Sequence, residues 1–443
     1  MRIAHRLLLL ASVVLVVGAV TALAATFRGS NSPSGLERAQ PSDLADDAAT
    51  NAFIESLQIK LRRNPNDSET LAQLGLASLQ RARETGDPTY YGKAEDALIS
   101  SLSSDPQNPD ALRGLALVAV ARHEFQEGLS LAQRALELDQ SSASTYGVIG
   151  DTLIELGRYD EALDAYQTMI DLKPDLSAYA RASYARELHG DIDGAREAMQ
   201  LAIDAGGSKG ESLAWAHLQL GNLFFNYGDA DRAEEEYTAS INALPRYVHG
   251  LAALAKVRAA KGDTTGAIAL YRQVVDRYPV LEYVVALGDL YKKHGDDVSA
   301  NKQYELVSVI DQLLRSNGVN SDLEIALYYA DHNINPDDAL RQARAEYQRR
   351  PSVQAADTLA WTLYRSGSYQ EALKYSAEAL RLGSRDPLYT FHAGMIREKL
   401  GEKLAAASLL SQALDTNPHF SVLHAEVARM TLQQLELVEG QQP

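Results

Sequence analysis

Apolar side chains recur at helical spacing in pairs of short segments along most of the chain, and residues 143–175 show this pattern most clearly. Their apolar positions are Tyr146, Ile149 and Leu153 in the first segment and Ala162, Tyr166 and Met169 in the second. Spacings of three and four residues place each set on one face of an α-helix. Gly157 interrupts the pattern and Pro174 ends it, so the stretch predicts two helices joined by a tight turn. Each helix can bury only one face, and the pair therefore needs neighbours above and below it.

The same pattern repeats along the chain with a period close to 34 residues. A small residue at the predicted crossing of the two helices marks each unit, and successive marks lie 33 to 39 residues apart. These residues are Ala94, Gly128, Ala162, Ala195, Ala233, Ala267, Ala300, Ala339, Ala372 and Ala406. A glycine lies twelve residues before several of the marks, and a proline lies twelve residues after several of them. Three marks in one register predict a repeat of about ten units over residues 68–420.

The sequence of residues 157–174, GRYDEALDAYQTMIDLKP, resembles the tetratricopeptide repeat, and residues 367–380 are similar to the same consensus. This resemblance implies an all-α, right-handed superhelical solenoid of about ten helix-turn-helix repeats. Residues 49–67 are expected to form an N-terminal cap helix, and residues 421–443 a C-terminal cap helix and tail. Residues 321–384 are also similar to exported bacterial repeat proteins of unassigned role. Since such repeats serve many roles as binding scaffolds, the resemblance implies the fold more sharply than the function.

Composition changes mark the expected limits of the solenoid. Residues 28–48 are rich in Ser, Pro, Gly and Asp without an apolar period, which predicts a flexible linker. Within the repeats, the sequence RSNGVN at 315–320 places an Asn-Gly pair close to a helix end and a new helix start. This segment could separate two superhelical blocks.

Residues 1–27 are predicted to be a targeting segment rather than part of the fold. Arg2 and Arg6 precede an uncharged run over residues 7–27. Positive charge before an apolar run stays on the cytoplasmic side, so the following chain is expected to be exported. Ala22 and Ala24 favour a cleaved signal peptide, whereas ~20 apolar residues suffice to span a bilayer. The alternatives are therefore an uncleaved membrane anchor and a secreted or periplasmic protein.

Charge and composition exclude several classes of function. The chain has 42 Lys and Arg against 59 Asp and Glu, a formal net charge of −17, and nucleic-acid binding is not expected without a basic stripe. It has no cysteine, which excludes disulfides, thiolate metal sites and cysteine nucleophiles. No phosphate-binding glycine motif, serine nucleophile elbow or HExxH metal helix occurs. We therefore predict neither an enzyme nor a cofactor.

One histidine, His332, lies among carboxylates in the sequence. These carboxylates are Asp331, Asp337 and Asp338. The alternatives are a solvated turn between helices and a weak metal site. The turn is favoured, so no metal site is predicted. His419 and His424 straddle a helix start, where we expect a turn residue and a residue at the edge of the core.

The concave groove is the predicted binding site. In tetratricopeptide arrays the second, fifth, ninth and twelfth positions of each first helix point inward. The candidate residues at or near these positions are Trp215, Asn222, Phe225, Lys256, Asp289, Tyr328, Trp361 and Tyr364. Aromatic rings among amide and charged groups can hold an extended peptide. The alternative is that some rings fill gaps between adjacent first helices. The family's Lys/Asn/Arg clamp for a terminal carboxylate is not reproduced, because the third unit offers Gly147 and Asp151.

Together these features predict an exported, membrane-tethered scaffold that binds a protein or peptide in its groove and assembles a cell-envelope complex. Contact with a membrane is expected through the N-terminal segment only. The alternative is a structural, self-associating repeat module whose groove is filled by its own tail or by a second copy.

Overall fold

The computed structural model describes residues 47–207 and 210–439, and over these ranges the chain forms twenty-two α-helices and no β-strand. The predicted targeting segment, most of the predicted linker and residues 440–443 lie outside the described residues. The helices are α1 (Asp47–Arg63), α2 (Ser68–Thr85), α3 (Thr89–Ser104), α4 (Pro109–Ala121), α5 (Phe125–Leu138), α6 (Ala143–Glu155), α7 (Tyr159–Leu172), α8 (Leu176–Leu188), α9 (Ile192–Ala205), α10 (Glu211–Asn226), α11 (Ala230–Ala243), α12 (Val248–Ala260), α13 (Thr264–Val275), α14 (Leu281–His294), α15 (Asp297–Ser316), α16 (Asp322–His332), α17 (Pro336–Arg349), α18 (Val353–Arg365), α19 (Tyr369–Ala379), α20 (Pro387–Lys399), α21 (Lys403–Thr416) and α22 (Ala425–Glu439).

Consecutive helices pair, from α2 with α3 to α20 with α21, which gives ten helix-turn-helix units in the described part of the chain. Helix α1 precedes the first unit and α22 follows the last. The predicted all-α repeat solenoid is thereby confirmed. Helix α1 begins at Asp47, two residues before the predicted start of the N-terminal cap helix at residue 49.

Polar side chains set where several of the first helices begin. Asn108 caps α4 by accepting a hydrogen bond from the Ala111 N–H at 3.0 Å, and Asp175 caps α8 in the same way from Ala178 at 3.1 Å. These caps satisfy backbone donors that have no partner inside the helix. They fix the starting residue, and with it the face that each helix turns toward its neighbours.

The small residues of the repeat lie where the two helices of a unit cross. Ala162 on α7 and Ala267 on α13 are fully buried. On the partner helix α6, a Cβ added to Gly150 would collide with the ring of Tyr166. The repeat in the sequence therefore reflects a close approach of two helices that only small side chains permit.

Enlarging these alanines should destabilise the array. We expect Ala162→Leu and Ala267→Leu each to lower the free energy of unfolding by roughly 1–3 kcal/mol, because the added methylenes overpack the crossing. Chemical denaturation measures the change. Ala52→Leu, at an exposed position of α1, is the control and should have little effect. If both crossing variants unfold with the parent, the assigned register is incorrect.

Units far apart in the sequence meet along a second line of contacts, which we call the seam. In the seam, the turn between the two helices of one unit contacts the loop that comes after the fifth unit following it. Its hydrogen bonds join Tyr278 Oη to Arg83 O at 2.9 Å, Asn320 N to Arg122 O at 3.1 Å, Val353 N to Tyr159 Oη at 2.8 Å, and Asn417 Nδ2 to Phe225 O at 2.9 Å. The partners are 192 to 195 residues apart where a side chain takes part. The solenoid therefore winds back onto itself, and the seam joins its first turn to its second.

A buried cation holds the centre of the seam. Arg350, which is 1% exposed, forms ion pairs with Glu155 of α6 and Glu346 of α17. Its guanidinium also lies over the Phe125 ring at 4.8 Å. Burial raises the pKa of Glu155, and the charge of Arg350 opposes that shift. The charge of Arg350 thus compensates the negative charges of two carboxylates, whose burial would otherwise destabilise the fold.

Turn glycines in the first half of the chain leave room for the seam. Gly157 has φ +71°, and a Cβ there would collide with the Pro351 carbonyl oxygen. Gly367 has a similar φ of +80°, but a Cβ there would meet no described atom within 4 Å. Both glycines adopt a left-handed backbone, whereas only Gly157 must also lack a side chain.

Gly157→Ala and Gly367→Ala should therefore differ in stability. In both variants the free energy of unfolding should fall by roughly 1–2 kcal/mol, because an alanine must then adopt the left-handed backbone conformation. Gly157→Ala should lose a further ~1–3 kcal/mol, because its methyl group displaces the Pro351 loop. Urea unfolding of the two variants gives the difference directly. Equal losses would mean that the seam does not form in solution.

Segment 315–320, which the sequence offers as a break between two superhelical blocks, contacts both turns of the solenoid. Asn320 donates its backbone N–H to Arg122 O, and His123 Nδ1 donates to Asn320 O at 2.6 Å. Arg315, at the end of α15, pairs with Asp322 at 2.9 Å. Two superhelical blocks divided at this loop remain a prediction.

Candidate functional site

The predicted groove aromatics are buried in the structure. Trp215 is 5% exposed, and the other buried rings of this set are Phe225, Tyr328, Trp361 and Tyr364. They pack within the core clusters between adjacent helices, and Trp361 stacks on Tyr364 with ring centroids 4.7 Å apart. This burial agrees with the alternative that the rings fill gaps between adjacent first helices. A role in binding stays a prediction.

The polar members of the predicted groove form bonds inside their own units. Tyr237 Oη donates to Asn222 Oδ1 at 2.9 Å, and Tyr304 Oη donates to Asp289 Oδ1 at 2.8 Å. Tyr166 and Asp151 form the same bond at 2.8 Å, again fifteen residues apart. A tyrosine of the second helix thus orients the inward polar residue of the first. The fifteen-residue spacing is present in the sequence, and it is the signal that could have identified these pairs.

The same inward residues also link neighbouring units. Arg181 on α8 pairs with Asp151, and His332 Nε2 donates to Asp289 Oδ1 at 2.8 Å. His332 was considered with Asp331, Asp337 and Asp338 as a weak metal cluster, but its ring binds Asp289 instead. Asp151 and Asp289 therefore bridge neighbouring units, whereas Asn222 forms its hydrogen bonds within its own unit.

Four charged residues from three units and one inter-unit loop interact through their charges. They are Glu187 (α8), Lys256 (α12), Glu282 (α14) and Asp386 (before α20), and we call them the interior cluster. Lys256 Nζ lies 4.4 Å from the centroid of the Phe225 ring. Burial lowers the pKa of Lys256, while the charges of Glu282 and Asp386 raise it. Lys256 is the one predicted groove residue that belongs to this cluster.

Burial dominates the electrostatics of the cluster's carboxylates. It raises the pKa of Glu187 to about 7, with a further contribution from the charge of Asp386. It also raises the pKa of Asp386. Glu282 has an exposed side chain, yet desolvation by the surrounding protein raises its pKa too. Protein atoms therefore surround the Glu282 side chain although solvent reaches it.

The protonation of Glu187 gives a stability test. The pKa of Glu187 rises from 4.5 to about 7 on folding, so the folded state keeps a proton that the unfolded chain releases. The free energy of unfolding should therefore fall as the pH rises from about 4.5 to about 7 and then level off. The effect is at most about 3 kcal/mol. Glu187→Gln should remove this pH dependence, which is measured by unfolding parent and variant in urea at pH 5 and pH 8. The same change in the free energy of unfolding between these two pH values in both proteins would contradict the assignment.

Two inner residues carry buried polar atoms without a hydrogen-bond partner among the described residues. They are Trp215, through its Nε1, and Glu324, through both carboxylate oxygens. Buried groups of this kind are normally satisfied by protein or water. In the described part of the chain, the protein covers these atoms without providing a hydrogen-bond partner for them.

A second group of polar side chains gathers near the C-terminal end. Donor atoms of Asp331, His392 and His424 lie within 4.8 Å of one another. His424, predicted to lie at the edge of the core, is buried here, and its Nε2 lies 2.9 Å from Asp331 Oδ1. The three residues come from α16, from α20 and from the segment before α22, so no local sequence spacing could have identified them.

The helices of the described ranges are each too short or too polar to cross a bilayer.

A model of one repeat family matches this chain. The tetratricopeptide repeat model matches residues 89–143, 148–209, 218–282 and 358–419, which together exceed half of the chain. Tetratricopeptide repeat protein 36 from Homo sapiens is 30% identical over 149 residues, covering 33% of this chain and 77% of that protein. Anaphase-promoting complex subunit 7 from Mus musculus is 27% identical over 109 residues, or 25% of this chain and 18% of its own length. The chain thus spans less than a fifth of that relative.

Solved structures show the same kind of partial similarity. PilW, described as a widely conserved type IV pilus biogenesis factor, is 16% identical with a TM-score of 0.38, covering 47% of this chain and 97% of that one. The structure of PilF from Pseudomonas aeruginosa is 21% identical with a TM-score of 0.36, covering 49% of this chain and 94% of that one.

Proposed function

Because the chain belongs to the tetratricopeptide repeat family, we propose that it is a non-catalytic scaffold that binds a protein or peptide partner on its inner face. The partner's binding segment is basic and extended, and it contacts the interior cluster. The observation that carries this proposal is a set of desolvated carboxylates, Glu187, Glu282 and Asp386. Lys256 interacts with the charges of Glu282 and Asp386, and Arg196 with that of Glu187.

Charge complementarity supports a basic partner. Each of the three carboxylates has its pKa raised by burial, and an incoming Lys or Arg would favour the charged form. The net charge of −17 would steer such a segment toward the protein. Because binding of the cation requires ionised carboxylates, affinity should increase between pH 6 and pH 8.

Site-specific photocrosslinking tests the proposed surface. A photoreactive residue at position 256 should capture a partner from membranes, and the same residue at the exposed position 235 should not. The crosslinked segment, identified by mass spectrometry and synthesised, gives a peptide for binding measurements. Glu187→Gln with Glu282→Gln should weaken that peptide at least tenfold. The control pair Glu235→Gln with Glu305→Gln, which changes two exposed carboxylates, should leave the affinity unchanged. Capture from position 235, or equal losses in both double variants, would contradict the proposal.

The proposal includes export and a place in a cell-envelope complex. It rests on the charges of Arg2 and Arg6 before the uncharged residues 7–27, which would anchor the chain or direct its secretion. An alkaline phosphatase reporter fused after Ser68 should be active only if this point lies outside the cytoplasm. Mass analysis of the mature N-terminus then separates the alternatives. A chain that begins at Ala25 would exclude the anchor.

A second candidate, self-association, is favoured by the exposed apolar face of α22. Met430 is 54% exposed and Leu437 is 68% exposed, and Val427 lies on the same side of the helix. A terminal repeat helix usually turns a polar face to solvent. Stacking of two copies through α22 would cover these side chains. Analytical ultracentrifugation of the parent should then detect a dimer. The double variant Met430→Glu with Leu437→Glu should be a monomer. A parent that is monomeric at high concentration would exclude this candidate.

A further inference from the structure

We propose that Asp331, His392 and His424 form a binding site for one divalent transition-metal ion of the Zn²⁺ class. Their donor atoms lie within 4.8 Å of one another. Imidazole nitrogens together with one carboxylate are ligands that Zn²⁺ and its neighbours prefer. This inference rests on different residues from the interior cluster, although the charge of Asp386 in that cluster interacts with His392 and Asp357.

His392 presents a free nitrogen to the cluster. Its Nδ1 donates to Asp357 Oδ2 at 2.9 Å, which leaves the lone pair on Nε2. The side chain is fully buried, and Nε2 has no hydrogen-bond partner among the described residues. A carboxylate behind the coordinating histidine is the arrangement that fixes the tautomer in metal sites. An unpaired buried nitrogen is costly without a metal or water to satisfy it.

The other two ligands already lie next to each other. His424 Nε2 lies 2.9 Å from Asp331 Oδ1, and Trp361 Nε1 donates to the same oxygen at 2.9 Å. Bound Zn²⁺ at about 2.0–2.1 Å from each donor would replace the proton on His424 Nε2, while Trp361 would continue to orient the carboxylate. The Asp331 side chain is about one-fifth exposed, which provides a path to solvent and an open position for water.

Aromatic stacking holds both imidazoles in place. The Trp361 and His392 rings stack at 4.2 Å with an angle of 15° between their planes. The Phe391 and His424 rings stack at 5.1 Å with an angle of 17°. Binding would therefore require little reorganisation of the rings. Since Asp331 lies on α16 and His424 immediately precedes α22, the metal would connect the C-terminal cap to the eighth and tenth units.

Titration with metal alone tests the site in the full chain. Chelator-treated protein is titrated with Co²⁺, followed by its visible absorption, and with Zn²⁺, followed by calorimetry. We expect one equivalent to bind with a Kd in the micromolar range or tighter, with the visible bands of a nitrogen- and oxygen-ligated Co²⁺, and with a rise in Tm. Binding should also release protons and weaken below pH 6. If the parent shows no saturable binding at 100 µM metal, the proposal is overturned.

Variants assign the ligands. His392→Gln and His424→Gln should each weaken binding at least 100-fold, whereas His249→Gln should leave it unchanged. His249 is a matched control, because it is also buried but its Nδ1 bonds to Tyr283 Oη. Metal binding retained by both cluster variants would overturn the assignment.

Asp357→Asn keeps the test decisive if the glutamine variants do not fold. It preserves all three ligands and removes only the carboxylate behind His392, so roughly 10–100-fold weaker binding is expected. Its fold is verified by circular dichroism. A folded Asp357→Asn protein with the parent's affinity would exclude His392 as a ligand oriented in this way.

Discussion

Arg350→Leu should lower the free energy of unfolding by about 3–5 kcal/mol, one of the two largest losses expected for a single substitution in this protein. The guanidinium lies between Glu155 and Glu346, and all three side chains are buried. Removing the cation leaves Glu155 in a low-dielectric environment without its ion-pair partner, and leaves Glu346 with Arg349 as its ion-pair partner. Denaturation in urea, followed by circular dichroism, measures the loss.

The control for this substitution lies on the helix that Arg350 follows. Arg341 is exposed and pairs with Asp338, which is also exposed. Arg341→Leu should change stability by no more than about 1 kcal/mol, because surface ion pairs contribute little. Adding Glu155→Gln to Arg350→Leu should restore part of the loss, since one buried charge is then removed. Equal effects at positions 341 and 350 would contradict the buried pair.

Trp215→Ala should cost about 3–5 kcal/mol as well. The ring is almost fully covered and packs against the core of the fourth and fifth units. Truncation of a buried tryptophan leaves a cavity that the surrounding helices cannot fill. Thermal and urea unfolding provide the measurement, and Tyr166→Ala, another buried aromatic, should lose a similar amount. A Trp215→Ala protein that unfolds with the parent and loses its partner would instead restore the open groove predicted from the sequence.

The fold could be predicted from the sequence because its signals are local. Helical spacing, the small residue at each crossing and the proline after each unit all act within about 34 residues, and the ten units appear as predicted. The sequence also indicates which positions of the first helices face inward. Trp215, Asn222 and Asp289 do lie on those helices, but the sequence does not show how closely the next unit covers them.

The seam could not be predicted, because it depends on how small rotations accumulate from one unit to the next. Contacts such as that between Val353 and Tyr159 join residues 194 apart, and no local pattern specifies them. The cluster of Asp331, His392 and His424 was missed for the same reason. His332 lies beside carboxylates in the sequence, while the histidines that converge on Asp331 come from the tenth unit and from the segment before α22.

A distance measurement across the seam tests the central claim, a two-turn solenoid that encloses an interior. The chain has no cysteine, so spin labels can be placed at His189→Cys and Arg385→Cys without further changes. These positions lie beside Gly190 and Gly383, which approach each other in the seam. Pulsed electron resonance on labelled protein diluted with unlabelled protein should give one short and narrow distance distribution. A broad distribution at long distances would show that the turns separate, and the enclosed interior would then be contradicted.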